Sequence, residues 1–344
     1  MNPVAASRLA NQRLVGRPFK TPAAAVSWLG AVQAQEFAFA KWALSLRTGL
    51  TDEKIDAAFS RGDILRTHVL RPTWHFVAPP DLRWMLALTG PRIKKAAAVY
   101  ARRLAIDSSL ERRTFKVLER SLAGQSLTRT AIKEALRRAR VDAADPARCA
   151  MLLMYAEIEG LITSGPRQGK QFTYALLDER VPPARPWGRD ESLGELATRY
   201  FQSRRPATIQ DFVWWSGLVT PDAKRALEIA QVSTEVASAG KSQPSGPVVH
   251  LLPIYDEYPL SYRDRSGASA GSRPRGSFDT IFVHLLVING LVEGFWTRQL
   301  SNTGALLAVK PFRTLTKAEW LLVEAAAERH ARFLECPVKV ARRV

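Results

Sequence analysis

The chain has 344 residues, 46% hydrophobic and 24% charged, with 50 Lys and Arg against 32 Asp and Glu and a formal charge of +18. Such a chain has apolar surface for two or three compact units with their own cores, which excludes a disordered or fibrous protein, and its surplus of cations favours a polyanionic partner, nucleic acid before an anionic membrane. Cys149 and Cys336 have no paired spacing, which argues against a disulfide framework or structural zinc, and without an apolar run of about 18 residues or an apolar leader a soluble cytoplasmic protein is expected.

Pro3 to Gly16 is expected to be a short helix. Thr21-Pro22 supplies a cap and a first-turn proline for a helix through Ala31. A further helix spans residues 52 to 61 and closes at Gly62. Ile64 to Val77, rich in β-branched and aromatic residues and interrupted by Arg71-Pro72, suggests two short strands with a turn. Helices followed by a hairpin are the order of a winged helix, assigned to residues 1–110. Pro79-Pro80-Asp81 opens the next helix.

Residues 111–180 repeat the plan. Glu111 to Ala123 is helical, Thr128 caps a helix through Arg140, and Asp145-Pro146 opens a third through Glu159. Leu161-Ile162-Thr163 and Phe172 to Leu176 flank a basic, glycine-containing tip with Arg167 and Lys170, the form of a wing. Between Arg92 and Arg148 there are 15 Lys or Arg against 6 Asp or Glu, either a solvated helix face or a polyanion contact.

A proline-rich linker, Val181 to Trp187, precedes a third helix-turn-helix unit at 188–231, in which Thr208 caps Ile209 to Trp215 and Thr220-Pro221 opens a helix through Ala230. Residues 232–344 change character. Val248 to Leu252, Thr280 to Val283, Leu285 to Ile288, Leu291 to Trp296 and Ala305 to Val309 read as strands, with Asn289-Gly290 a hairpin turn. This predicts a small antiparallel sheet or barrel-like unit closed by a helix from Lys317 to about Phe333. Ser266 to Ser277, rich in Gly, Ser and Arg, is expected to be a mobile loop. The fold class is therefore α+β, tandem winged-helix units followed by a small β unit.

Ala31-Val32-Gln33-Ala34-Gln35-Glu36 places two amides one residue apart in an apolar neighbourhood. Positions two apart diverge on a helix and share a face in an extended segment, so a shared site requires the helix to end near Gln33. Otherwise one glutamine bonds the helix end and the other is solvated. No metal cluster is legible, since none of the five histidines forms an i, i+4 pair with a carboxylate.

Ser27 to Gln35, Leu65 to Val77, and Leu252 to Tyr258 followed by Tyr262-Arg263-Asp264-Arg265 together resemble, in order and spacing, the winged-helix DNA glycosylase family of AlkZ and YcaQ over roughly residues 8 to 335. In that family a Gln-x-Gln or Gln-x-Asp pair is catalytic, which maps onto Gln33 and Gln35 and places this chain with the double-glutamine branch. The resemblance implies a monofunctional glycosylase for alkylated purines in double-stranded DNA; no cofactor and a monomer are expected. DNA contacts are expected from Arg71, Trp74, His75, Arg129, Arg167, Lys170, Tyr258, Arg263 and Arg265. For Trp74 and His75, a core Trp with a hydrogen-bonded His is the commoner outcome. Asp256 and Glu257 are readable as ion-pair partners of Arg263 or Arg265, and Glu36 is the carboxylate nearest the amides. The competing function is a non-catalytic winged-helix DNA-binding protein or transcriptional regulator, which needs no amide pair.

Overall fold

The computed structural model describes residues 2–235, 246–268 and 283–343. The expected loop beyond Ala268 and the expected strand residues Thr280 to Phe282 lie outside them. Helices α1 (Pro3–Asn11) and α2 (Pro22–Leu29) both begin on a side-chain cap, from Asn2 and Thr21, and carry proline in the first turn. The second stops earlier than expected because Gly30 turns the chain at φ 76°. Then follow β1 (Val32–Gln33), α3 (Phe37–Thr48), α4 (Asp52–Arg61), β2 (Leu65–His68) and β3 (Trp74–Val77). The strands pair antiparallel in the order β1-β3-β2, which completes a winged helix around the predicted hairpin.

Sequence reasoning missed β1 and α3. The run Phe37-Ala38-Phe39-Ala40 alternates like a strand, and the helix it forms is buried on most sides, from Ala40 through Ser45 and again at Arg47 and Thr48. A helix covered all round leaves no polar stripe to mark its period.

After the long α5 (Pro79–Arg103), the order recurs in α6 (Ser108–Leu122), β4 (Leu127–Thr128), α7 (Arg129–Arg138), α8 (Pro146–Ile158), β5 (Ile162–Ser164) and β6 (Thr173–Leu176). The sheet order β4-β6-β5 matches that of the first unit strand for strand. Thr128 and Asp145 cap their helices as expected. This unit has its own core, including Leu118, Leu122, Ile132, Leu136 and Leu152. It meets α5 where Gly90 passes Ile158, so closely that a Cβ on Gly90 would sit 2.7 Å from the Ile158 carbonyl oxygen. Gly to Ala within a helix usually stabilises by up to about 1 kcal/mol. Gly90→Ala is instead expected to destabilise by about 2 kcal/mol, read as a lower urea midpoint with unchanged slope, because α5 and α8 must be forced apart.

Short α9 (Leu177–Arg180) leads into α10 (Arg189–Arg204), α11 (Ile209–Ser216) and α12 (Thr220–Ala230). Among the described residues this third unit contributes no sheet of its own. The chain then forms β7 (Val249–Leu252), α13 (Glu257–Leu260), β8 (His284–Ile288), β9 (Leu291–Ser301), β10 (Gly304–Pro311), α14 (Lys317–Leu334) and β11 (Val338–Arg342). The five strands run in the order β11-β10-β9-β8-β7. Asn289 and Gly290 both take positive φ, as a two-residue hairpin turn requires. The sheet departs from the expected antiparallel pattern at one edge, where β11 pairs parallel with β10 after the α14 crossover. One core binds this sheet and α14 to the first unit, through Leu251, Leu286 and Trp296 of the sheet and Val323 of α14 against Val26, Trp42 and Phe59. A second core joins α5, the hairpin and the third unit. No helix among the described residues is long and apolar enough to cross a membrane.

Candidate active site

Gln33 ends β1, the outer strand of the first sheet, and Gln35 lies on the bend that follows. The helix therefore ends before the pair, as a shared site requires. The bend is closed by the glutamines themselves, since the Gln35 backbone N–H donates to Gln33 Oε1 at 3.0 Å. Gln33 is buried, Gln35 partly buried and Glu36 exposed. Among the described residues no hydrogen bond within the chain engages Gln33 Nε2 or the Gln35 carboxamide, so these groups remain for a ligand or water. Arg66 braces the segment from below, donating to the carbonyls of Ala34 at 2.9 Å and Gln35 at 3.4 Å. Its guanidinium lies 4.3 Å from the Trp74 ring centre and 4.8 Å from that of Phe172, so the second unit's wing helps to hold the first unit's bend.

The backbone of Gln33 is fixed by a carboxylate from the far end of the chain. Gln33 and His75 form a ladder position whose N–H points away from the sheet, since the next residue, Ala34, donates to Trp74 O. Glu257 Oε1 accepts the Gln33 N–H at 2.9 Å. Its Oε2 accepts from Arg204 at 2.8 Å, Trp215 Nε1 at 3.0 Å and the Ser261 hydroxyl at 2.7 Å, all fully or nearly fully buried. Burial alone would raise the Glu257 carboxyl, but the Arg204 charge and these hydrogen bonds outweigh it and hold it at about 2. Glu257→Gln strands the Arg204 charge in the core and is expected to lower the unfolding free energy by about 3 kcal/mol at neutral pH. Chemical denaturation of the variant against wild type measures this.

Neighbouring Asp256 pairs with Arg47 through two bonds of 2.8 Å and caps α13. The acids are thus structural ion-pair partners, of Arg47 and Arg204 rather than Arg263 or Arg265. Both true partners lie over fifty residues upstream, out of reach of local pattern.

Cross-strand register puts Gln33, His75 and Thr67 side by side on one face, while Trp74, Phe76 and Val32 occupy the other. His75 is fully buried and is not a surface contact. Its Nδ1–H donates to Thr73 O at 2.8 Å, and burial, aided by the charge of Arg71, pushes the imidazole down to about 3, so it is neutral. Arg71 follows Leu70 in the hairpin turn, where Gly217, at φ 70°, approaches so closely that a Cβ there would lie 2.4 Å from Leu70 O. The guanidinium feels Glu257 and Arg204 yet has no ion pair or hydrogen bond among the described residues, and burial lowers it from its ordinary value. A partly buried cation with no ion pair among the described residues, near the Glu257 carboxylate that holds Gln33, suits an anionic ligand.

A family model for "DNA glycosylase AlkZ-like" matches residues 26–333. The chain belongs to the AlkZ-like DNA glycosylase family. The solved structure of Streptomyces sahachiroi DNA glycosylase AlkZ covers 99% of this chain and is itself covered to 99%, with a TM-score of 0.72 and 20% identity, a likeness of fold. A comparison with curated protein sequences finds no match.

In this AlkZ-like chain the other expected DNA contacts are dispersed. Trp74 is half-buried on the sheet face opposite Gln33, between Arg66 and the His68 ring at 4.5 Å. Tyr258 is a core residue rather than a contact, its hydroxyl donating to Gly290 O at 2.7 Å. Arg167 does not stand out from the wing tip but docks on the first unit, 3.0 Å from Asp56. Lys170 is exposed, and Arg129 is half-buried at the start of α7. Arg263 is exposed beside α11, and Arg265 lies over Trp214, which is itself 39% exposed. Arg66, Arg204 and Glu157, whose carboxylate bonds the His68 ring under Trp74, were not anticipated. Charged residues inside apolar strand and helix runs were the available signal.

Proposed function

We propose that this chain is a monofunctional DNA glycosylase that hydrolyses the N-glycosidic bond of alkylated purines, N7-linked adducts first, in duplex DNA. The observation that carries the reading is the Gln33–Gln35 pair, tied together by its own hydrogen bond on a bend held by Glu257 and Arg66, in a chain of the AlkZ-like family. Departure of the base leaves an oxocarbenium-like sugar. A purine alkylated at N7 already carries positive charge and leaves without a strong acid, so two neutral amides suffice. Gln35, the more accessible, and Gln33 Nε2 can hold a water by hydrogen bonds, while the amide dipoles face the developing cation. Amides are not strong bases, so uncharged bases are expected to be poor substrates. Arg71, without an ion pair among the described residues, suits a backbone phosphate near the lesion.

The test is abasic-site formation, revealed by alkali, on duplexes carrying N7-methylguanine or a bulkier nitrogen-mustard adduct. Release under single-turnover conditions, absent from the undamaged duplex, is the expected result. Tight binding with no release from either adduct would return the chain to the regulator reading.

A further inference from the structure

We propose that Gln33, His75 and Thr67 together hold one buried water, and that this water fixes the Gln33 carboxamide for its task. The inference deepens the glycosylase reading and rests on it. The three residues lie side by side across three adjacent strands, Gln33 on β1, His75 on β3 and Thr67 on β2. Gln33 and His75 occupy a ladder position without mutual backbone bonds, where side chains approach most closely. Gln33 is 6% exposed and the other two 0%.

Each residue has a group left over. Because Thr73 O can only accept, the His75 proton is on Nδ1, which leaves a lone pair on Nε2. That Nε2 and Thr67 Oγ1 are buried without any hydrogen-bond partner. The Gln33 oxygen is already used by Gln35 N–H, so its amide nitrogen, which is not among the fully buried atoms, is the end left to donate. A single water satisfies the set: it accepts from one Gln33 Nε2–H, donates to His75 Nε2 and exchanges a third bond with the Thr67 hydroxyl, while the second Nε2–H is left for the reactive water. Buried waters make about three such bonds to otherwise unsatisfied groups. With Gln35 N–H on one end of the carboxamide and the water on the other, Gln33 has one orientation. His75 is thus a positioning residue that acts through Gln33 and does not touch the reacting atoms.

The variants are His75→Phe, which keeps ring volume without the lone pair, Thr67→Val, which is isosteric without the hydroxyl, and His75→Gln, whose side-chain oxygen reaches the place of Nε2. The expected result for His75→Phe is a thermal midpoint equal to or above wild type, duplex binding within about twofold, and single-turnover release of N7-methylguanine slowed by about tenfold or more. His75→Gln should recover a substantial part of the rate, and Thr67→Val should fall between. A purely structural histidine predicts the opposite split, with stability changed and rate intact; a folded His75→Phe that releases base at the wild-type rate would overturn the proposal. If His75→Phe does not fold, Thr67→Val decides by the same criterion. A crystal structure of the wild-type protein supplies a readout apart from activity: water density within hydrogen-bond reach of both His75 Nε2 and Gln33 Nε2 supports the proposal, and its absence refutes the water site. Wild type releasing no base at all would sink the glycosylase reading and leave that density to judge the water site by itself.

Discussion

On lowering the pH from 7 to 5, the protein is expected to lose several kcal/mol of unfolding free energy through four histidines, three of them buried and His284 half-buried. His75 and His330 are held at about 3, and His250 and His284 at about 4, in each case by burial first and a neighbouring arginine second. In the unfolded chain these side chains take up protons near pH 6.5. A folded pKa below the unfolded one means that stability is fully present above pH 6.5 and declines as the pH falls toward the folded values, because only the unfolded state binds the extra protons. Against a total stability of about 5–15 kcal/mol such a loss moves the acid transition to a higher pH than carboxylate protonation alone would give. Glu257, depressed to about 2, adds its own loss only further down. Urea midpoints at pH 7, 6 and 5 and constant ionic strength check this; an unchanged midpoint would contradict it. His75→Phe should remove about a quarter of the slope.

The second large effect concerns the amides. Removing a group that orients water or stabilises developing charge costs about 10²–10³ in rate. Gln33 and Gln35 are linked by a hydrogen bond and act on one water in the proposed mechanism, so their losses should not add. Gln33→Ala, Gln35→Ala and the double variant are expected to fall within about tenfold of each other, each far below wild type. Stability should change by only about 1 kcal/mol, the worth of the bond to Gln35 N–H. Two single-variant losses that add in the double variant, measured by single-turnover release, would point to two separate roles.

The parts of the fold legible in the sequence are those with local causes. Thr128 and Asp145 announce helix starts by capping, Asn289-Gly290 announces a hairpin, and β-branched runs announce the wings. What escaped depends on distant partners. Helix α3 is covered on most sides by other elements, so its period was hidden. Strands β1 and β4 are two residues long and exist only because β3 and β6 come back to pair with them. At the site, the amide pair was visible as an anomaly of type and spacing. The carboxylate anchoring it was visible only as an acid, because its partners Gln33 and Arg204 arrive from elsewhere in the chain. Tyr258 and His75 show the converse: polar aromatics in a motif whose polar atoms turn inward.

The most direct test of the central claim is single-turnover release of N7-methylguanine from a duplex by wild type and by the Gln33→Ala/Gln35→Ala variant, with binding measured on the same duplex. The account predicts release by wild type, a loss of at least about 10²-fold in the variant, and affinities within about threefold. Equal rates in the two proteins, or a loss of rate matched by an equal loss of binding, would contradict it.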